Sequence, residues 1–589
     1  MNDATQIAIN AWLSDPAIAD PDKAEIRTLV ANDDQKELAD RFSRDLEFGT
    51  GGLRGILGAG RNRMNTYTVG AAAQGLADFI RQSGATNPSI AIACDCRRQS
   101  DAFAKRVSCI MAANGITAYL FPAPRPTPHL SFAVRELHCT VGVVITASHN
   151  PPEYNGFKAY WSDGAQVVPP QDAGIIAAVR AVGSFTNVRA MPFDDAVRDG
   201  RIRILGADMD AKFLDAVQSS CLAPDECRAQ GRDMKIVYTA LHGTGGTLIP
   251  EALRRRGFQR VLEVAEQSSL DGEFPTVKSP NPEEGPALAI AIDLARREDA
   301  ELVIATDPDA DRVGIAVRMP DGEFALLTGN QTAALLTHYL CERLTRIGRF
   351  PKNAVVLTTI VSSDLMKIVA RHYGADVQET LTGFKWIAER IRLWELEKVA
   401  ENHRRQYVFG AEESYGYMPA TYVRDKDAVT SAAMIAEMAA VARSEGRTLY
   451  TLLDDLYRRF GYHQEGAKSI TMPGVDGSQR IAALIQSLRT TPPRAIGGLD
   501  VVTIGDLHCG EERNAGSTAV IQRFDLPKSD VLIYTLTDGT KVIARPSGTE
   551  PKIKFYILTK APGDDLTKAR QIATEKIEAI SADLAKRAN

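Results

Sequence analysis

The chain has 589 residues and a mass of 64.0 kDa, more than one hydrophobic core supports, so about three to five domains are expected. Hydrophobic residues at 44% and charged ones at 24% are ordinary globular usage and exclude a disordered or fibrous chain. The net charge of -5 comes from 69 basic and 74 acidic residues mixed along the length, which leaves no basic stripe for nucleic acid.

The opening "MNDATQIAIN" lacks a signal peptide's basic and apolar regions, and no apolar run approaches the roughly 20 residues of a membrane span. The expectation is a soluble cytoplasmic protein without a membrane partner. Residues 1–48 are polar with helical spacing and read as a helical extension. From 66 to about 200, helical stretches such as "VGAAAQGLADFIRQ" and "SDAFAKRVSCIMAANG" alternate with short β-branched runs, "SIAIAC", "TAYLF" and "TVGVVIT". This is the pattern of a parallel or mixed sheet covered by helices. The alternation restarts at "DMKIVYTALHGTGG" and again at "NAVVLTTIVSS". Beyond about 465, the strands "DVVTIGDL", "VLIYTLTDGTKVIARPS" and "KIKFYILTK" precede a charged helix, as in a smaller α+β domain. "TDGT" predicts a hairpin turn there, because Asp-Gly tolerates positive φ. The expected boundaries are 1–205 for the extension and first α/β domain, 206–325 and 326–464 for two further α/β domains, and 465–589 for the α+β domain. The eight cysteines, at 94, 96, 109, 139, 221, 227, 341 and 509, match neither a disulfide framework nor a paired zinc spacing, and read as reduced small hydrophobes.

In "LVIATDPDADRVG" a buried strand runs out into Asp307, Asp309 and Asp311. On an extended backbone these alternate residues share one face, and three converging carboxylates call for a hard cation such as magnesium. A solvated acidic loop is the plain alternative. An EF-hand is excluded, since Arg312 and Arg318 occupy its glycine and glutamate positions. A haloacid-dehalogenase-type phosphatase is weakened, because Asp311 stands where that class carries Thr or Ser.

"TASHNPPEYNGFK" places Ser148 after the run "CTVGVVI". The flanks Thr146 and Asn150 rule out a G-x-S-x-G elbow, and on an extended backbone His149 would point away from its neighbour. The serine could instead carry a phosphoryl group, with a metal assisting its transfer. Pro151 and Pro152 would stiffen the loop, and Asn155-Gly156 would turn it back so that Lys158 faces the serine. In "ARPSGTEPK", Arg545, Ser547 and Thr549 with Gly548 make a phosphate cradle or, alternatively, an ordinary tight turn. "FGTGGLRG" embeds Arg54 in a glycine-rich loop but is not a dinucleotide fingerprint, and the nearby "GILGAGRN" misses a P-loop because Arg61 and Asn62 replace Lys and Ser/Thr.

Together these stretches resemble the α-D-phosphohexomutase family, which includes phosphoglucomutases and phosphomannomutases. "TASHNPPEYNGFK" is similar to its phosphoserine loop, "DPDADR" to its metal loop, "AEESYG" to its sugar-recognition loop and "RPSGT" to its distal phosphate loop. Length and "FGTGGLRG" are most like the long subgroup with phosphoglucomutases and phosphopentomutases. The resemblance implies three α/β domains and a smaller α+β C-terminal domain around a central cleft. It implies a phosphoryl group on Ser148, Mg2+ held by Ser148, Asp307, Asp309 and Asp311, and Arg312 with Arg54 steadying the phosphate. Glu412 and Ser414 would grip sugar hydroxyls, and Thr382 and Lys426 would line the substrate site. Arg545, Ser547, Gly548 and Thr549 would hold the phosphate that is not reacting. For proton transfer the candidates are Lys158, His149 and Lys426, on the argument that nearby cations lower a lysine's pKa. The implied reaction interconverts glucose 1-phosphate and glucose 6-phosphate through a bisphosphorylated sugar. The alternatives are a phosphopentomutase or other hexose-phosphate mutase, and a metal-dependent sugar phosphatase. Ala411, Tyr415 and Pro308 depart from the family's usual residues. The histidines at 129, 138, 338, 372, 403, 463 and 508 lack ligand spacing, and His242 is assigned no chemistry.

Overall fold

A computed structural model of the chain describes residues 3–47, 52–472, 477–547 and 552–588. It divides into two compact units, one of Met1–Gly329, Phe384–Gly410 and Ser414–Thr448, the other of Asn330–Gly383, Ala411–Glu413 and Leu449–Asn589. Among the described residues, no helix is long and apolar enough to cross a membrane.

In the first unit the N-terminal extension folds into helices Asp3–Ser14, Asp20–Ala31 and Gln35–Phe42. Its apolar positions build a core from Ile9, Trp12, Ile18, Ile26, Leu38 and Phe42. Trp12 also meets Tyr67 and Phe185 edge to face, at centroid distances of 5.4 and 5.9 Å, which docks the extension onto the neighbouring α/β layer.

That layer is a six-stranded sheet in the order Gly52–Ile56, Tyr154–Trp161, Val141–Ile145, Ser89–Cys94, Thr117–Leu120, Ile202–Ile204. The four strands from Val141–Ile145 onward run parallel, and the first two are added antiparallel. Val141–Ile145 is buried along its whole length, as expected of a strand covered on both faces. Helices Thr66–Gln82, Ser100–Ala113 and Thr127–Glu136 supply the cover. Asn65 opens the first of these with a capping box, accepting from the Tyr67 and Thr68 N–H groups.

Asn155 and Gly156 do not form the expected turn; both lie inside the strand Tyr154–Trp161. The buried Asn155 amide instead donates to Arg98 O and Ser100 Oγ, each at 2.9 Å. Gly156 sits where strands crowd: a Cβ there would lie 2.5 Å from Thr146 O and 2.8 Å from Leu53 O. The reversal is made earlier, at Ser148–Glu153, where the prolines fall. Gly156→Ala is therefore expected to destabilise the first unit by about 1–3 kcal/mol, the usual cost of overpacking, read as an earlier denaturation midpoint in urea.

A five-stranded sheet follows, ordered Phe324–Leu327, Val313–Arg318, Leu302–Thr306, Lys235–Thr239, Arg260–Glu263. Leu302–Thr306 and Val313–Arg318 pair antiparallel with Thr306 opposite Val313, so residues 307–312 form the loop of a hairpin. The same unit holds helix Ala428–Ser444, whose residues from Ala428 to Ala442 are all buried. Small and apolar residues predominate around it, as an enclosed helix requires, and its one buried carboxylate, Glu437, is paired with the buried Arg256. Asp427 caps it by accepting from the Thr430 N–H at 2.9 Å.

In the second unit, Ala354–Thr359 and Asp376–Thr380 form a parallel pair. The C-terminal region builds an eight-stranded sheet from Tyr462–Thr471 to Lys552–Ala561. Its core gathers Val542, Ile557, Leu532 and Tyr534 with Ile485 and Ile580 from helices Gly477–Thr490 and Leu566–Ala588. The "TDGT" hairpin forms as read, with Gly539 at φ +80° between Leu532–Leu536 and Lys541–Pro546.

Candidate active site

Strand Val141–Ile145 delivers Ser148 into a tight loop with φ at +53°, a conformation that costs a non-glycine residue energy and is kept only where its surroundings enforce it. The Ser148 N–H donates to Thr146 Oγ1 at 2.8 Å, and its hydroxyl donates to Asp307 Oδ2 at 2.7 Å. Because the backbone is left-handed rather than extended, His149 does not diverge from the serine: its Nδ1 lies 3.1 Å from Ser148 Oγ. Burial, with Arg312 and Arg54 nearby, lowers the His149 imidazole to about 3, so the ring is neutral at pH 7.

The three aspartates converge, but not on an extended strand. The chain turns at Ala310, φ +50°, with the Ala310 N–H on Asp307 O at 2.9 Å. The loop curls around its first carboxylate, since Asp307 Oδ1 accepts the N–H groups of Asp311 and Arg312 at 3.1 and 3.0 Å. One carboxylate oxygen from each of Asp307, Asp309 and Asp311 falls within 4.8 Å of the others, and all three residues are buried. Burial and the two neighbouring carboxylates push Asp307 well above the ordinary range. Asp309 is held below it: burial would raise it, but Lys158 and Lys426 prevail.

Lys158 Nζ sits 2.8 Å from Asp309 Oδ2 and 3.3 Å from Asp311 Oδ2, and Lys426 Nζ sits 3.0 Å from Asp311 Oδ2. The argument that neighbouring cations lower the lysine's pKa therefore fails for Lys158. Burial does disfavour its charge, and Lys426 and Arg54 oppose it, but Asp309 and Asp311 outweigh them and the amine is raised. Arg312 pairs with Glu283 at 2.6 Å, and Arg54 donates to Asn150 Oδ1 at 3.1 Å. Ser148, His149, Lys158, Lys426, Arg312, Arg54 and the three aspartates thus belong to one unit and to one connected set of contacts.

A metal fits this set. Asp309 Oδ1 and Asp311 Oδ1 are buried oxygens without a hydrogen-bond partner among the described residues, and hard carboxylate oxygens suit a hard divalent ion. Cys221, Cys227 and Glu437 also gather within 4.8 Å. There, however, both Glu437 oxygens are engaged, by the Leu222 N–H at 2.7 Å and by the buried Arg256 guanidinium. All eight cysteines are free thiols.

The second unit carries other expected residues. Glu412 Oε1 accepts the Gly383 N–H at 2.7 Å, beside Thr382, and Glu413 lies 3.3 Å from Thr359 Oγ1. Arg545 is half-buried at the end of strand Lys541–Pro546, opposite Lys554. The Ser547 N–H donates to Lys552 O at 2.8 Å. Burial lifts the Tyr556 phenol to about 12, with Glu413, Arg545 and Glu412 acting on it. Ser414 is half-buried in the first unit. Gly548, Thr549 and the Phe48–Gly51 part of the glycine-rich loop lie outside the described residues.

Sequence reasoning missed several supports of the site. Thr127 donates to Asp309 Oδ2 at 2.9 Å. Thr244 gives both its N–H and its hydroxyl to Pro308 O, each at 2.8 Å, and a Cβ on Gly243 would come within 2.4 Å of Pro308 Cα. The glycines of "HGTGG" after a strand end were the available signal. Asp425 bridges Lys426 and the Tyr160 hydroxyl at 3.1 and 2.8 Å. Arg97, buried beneath the serine loop, had no signal at all.

Models of phosphoglucomutase/phosphomannomutase α/β/α domains I, II and III match residues 45–184, 211–320 and 328–460. A phosphoglucomutase of Staphylococcus haemolyticus is 37% identical over 516 residues, covering 88% of this chain and 90% of that one. The chain belongs to the phosphoglucomutase/phosphomannomutase family. A phosphoglucomutase of Staphylococcus aureus is 35% identical over 90% of this chain and 92% of its own. Among solved structures, a putative phosphomannomutase from Thermus thermophilus superposes with a TM-score of 0.66 at 21% identity, covering 92% of this chain and 99% of that one. Membership bears out the family resemblance and the architecture of three α/β domains with a β-rich C-terminal domain. It also makes the chain an enzyme of a mutase family. Among the described residues, the buried acidic cluster is the set that both the sequence motif and the geometry single out for a metal.

Proposed function

We propose that this family member is a Mg2+-dependent phosphoglucomutase of the cytoplasm, interconverting glucose 1-phosphate and glucose 6-phosphate. It would act through a phosphorylated Ser148 and a bisphosphorylated sugar. The observation that carries the reading is the 2.7 Å contact between the Ser148 hydroxyl and Asp307, inside an acidic cluster with two orphaned oxygens.

Asp307, Asp309 and Asp311 would hold the ion together with the Ser148 phosphoryl group. When bound, the ion supplies electrostatic stabilisation of the charge on a transferring phosphoryl group. In the first half-reaction the bond from phosphorus to Ser148 Oγ breaks and a bond to a sugar hydroxyl forms; the second half-reaction reverses this from the other phosphate. His149 Nδ1, 3.1 Å from Ser148 Oγ, lies where the serine proton would be accepted when Ser148 is the nucleophile, the negative charge of a bound phosphate offsetting the burial and cationic neighbours that weaken it as a base. Lys158, held as a cation by Asp309 and Asp311, and Lys426, 3.0 Å from Asp311, suit neutralising phosphoryl oxygens; a neutral amine at either would take the proton of the attacking sugar hydroxyl and return it when the sugar oxygen is the leaving atom. Arg312 and Arg54 would steady the reacting phosphate. Thr382, Glu412 and Ser414 would meet sugar hydroxyls, and Arg545, Ser547, Gly548 and Thr549 the idle phosphate.

The assay compares glucose 1-phosphate with ribose, mannose and glucosamine 1-phosphates while following inorganic phosphate. Isomerisation of the glucose ester is expected to be fastest, with almost no phosphate released. Faster turnover of a pentose phosphate would replace the glucose assignment, and phosphate release as fast as isomerisation would favour a phosphatase.

A further inference from the structure

Ser148 is held in an uncommon backbone conformation, and the loop after it aims its carbonyls at one buried guanidinium. Arg97 Nη2 donates to Ser148 O at 2.6 Å and also to Asn150 O; its Nη1 donates to Pro151 O at 2.8 Å and to Tyr154 O at 3.1 Å. The remaining donor, Nε, faces the wholly buried Asp95 carboxylate at 3.3 Å. Four of the five N–H groups of the side chain are thereby directed onto the segment 148–154, while Nε meets Asp95 as an ion pair without a hydrogen bond. The flat face of the guanidinium lies 5.0 Å from the Phe274 ring centroid, within range of a cation–π contact. Asp95 is itself fixed, since its Oδ1 accepts the Arg97 N–H at 2.9 Å and the Ser100 hydroxyl at 2.8 Å.

The geometry points to Arg97 as the positioning residue that sets the reactive conformation of the Ser148 loop. Four carbonyl dipoles converging in a buried space repel one another unless a cation lies among them, and left without donors each would carry an unmet desolvation cost. The guanidinium cancels both penalties in one rigid plane, and so holds the Ser148 φ at +53° that directs Oγ to Asp307. Lysine cannot replace it: a point charge with three donors does not span four carbonyls and a carboxylate. The hydrogen bonds of Arg97 run to the loop and not to the aspartate cluster or a proton-transfer candidate, so their effect on the reaction passes through the loop. This inference rests on the mutase reading for its activity readout, but not for its structural one.

The test compares wild type, Arg97→Lys and Arg97→Ala by three measurements: kcat and KM for glucose 1-phosphate, thermal midpoint, and backbone amide exchange over residues 147–155. Arg97→Lys is expected to stay folded, to lose about 100-fold in kcat, the scale of an ångström-sized misplacement, and to change KM less than threefold. Its amides at 149–155 should exchange at least tenfold faster than in wild type, while exchange in strand Ser89–Cys94 stays unchanged. Guanidinium ion at millimolar concentration should restore part of the kcat of a truncated Arg97→Ala variant, and sodium at equal ionic strength should not. Arg97→Lys with wild-type kcat and wild-type loop exchange would overturn the proposal. So would a kcat loss that disappears once activity is scaled to the folded fraction. Absence of mutase turnover in wild type would refute the functional reading instead, and the exchange measurement would still decide the role of Arg97.

Discussion

Ser148→Ala is expected to reduce glucose-phosphate isomerisation by at least about a thousandfold, because it removes the atom that carries the phosphoryl group rather than one that tunes it. The fold should survive. Asp307 loses the 2.7 Å hydroxyl bond but keeps two backbone donors on its other oxygen, so the cost is about 1–3 kcal/mol. Intact-mass measurement gives a second readout. A fraction of wild-type chains should be heavier by one phosphoryl group, and the variant should show none. The competing phosphatase chemistry makes the opposite forecast, since there Asp307 would be the nucleophile and Ser148→Ala would leave phosphate release intact. The contacts count against that alternative: Asp307 Oδ1 accepts two backbone N–H groups and Oδ2 accepts the Ser148 hydroxyl, so neither oxygen is free to attack phosphorus. A variant that isomerises at the wild-type rate, or that retains the added mass, would remove Ser148 from the mechanism.

The alternation of β-branched runs and helical stretches placed Ser89–Cys94, Val141–Ile145 and Leu302–Thr306 where they are found, because each is a buried strand whose composition follows from burial on both faces. The chemistry-bearing residues were equally legible, as their types and spacing survive any backbone path. What could not be read was the path itself. An extended backbone was assumed for both Asp307–Asp311 and Ser148-His149, and in each case a positive-φ residue, Ala310 or Ser148, redirects the side chains. Neither alanine nor serine signals that conformation. It is imposed by long-range contacts, Ala428 N–H on Ala310 O in one case and Arg97 on the serine loop in the other. Asn155-Gly156 misled for a related reason. A dipeptide that favours turns in isolation was used here for close strand approach and a buried amide anchor. The charge state of Lys158 needed distances, because it depends on which carboxylates come within 3.3 Å.

Asp309→Asn is expected to abolish the response to divalent metal while leaving the protein folded. Wild type should lose activity on exhaustive chelation, regain it with Mg2+, and melt at a higher temperature when Mg2+ is present. An ion that binds only the folded state stabilises it by about 2.7 kcal/mol at a hundred times its dissociation constant. The variant keeps the shape of the side chain but removes one negative charge and replaces one hard oxygen donor with an amide nitrogen. Without metal its stability should change little, because two effects oppose each other. Repulsion among three buried carboxylates is relieved, while Lys158 loses the partner 2.8 Å away that holds its charge. With metal the difference should be large: no rise in melting temperature at any Mg2+ concentration that saturates wild type, and turnover reduced by at least about 100-fold, as expected when several kcal/mol of charge stabilisation is withdrawn. The melting response requires no substrate, so it separates loss of the ion from loss of chemistry. A wild-type-sized Mg2+ shift in Asp309→Asn would mean that the ion binds elsewhere, and that the two orphaned oxygens of the aspartate cluster serve some other charge.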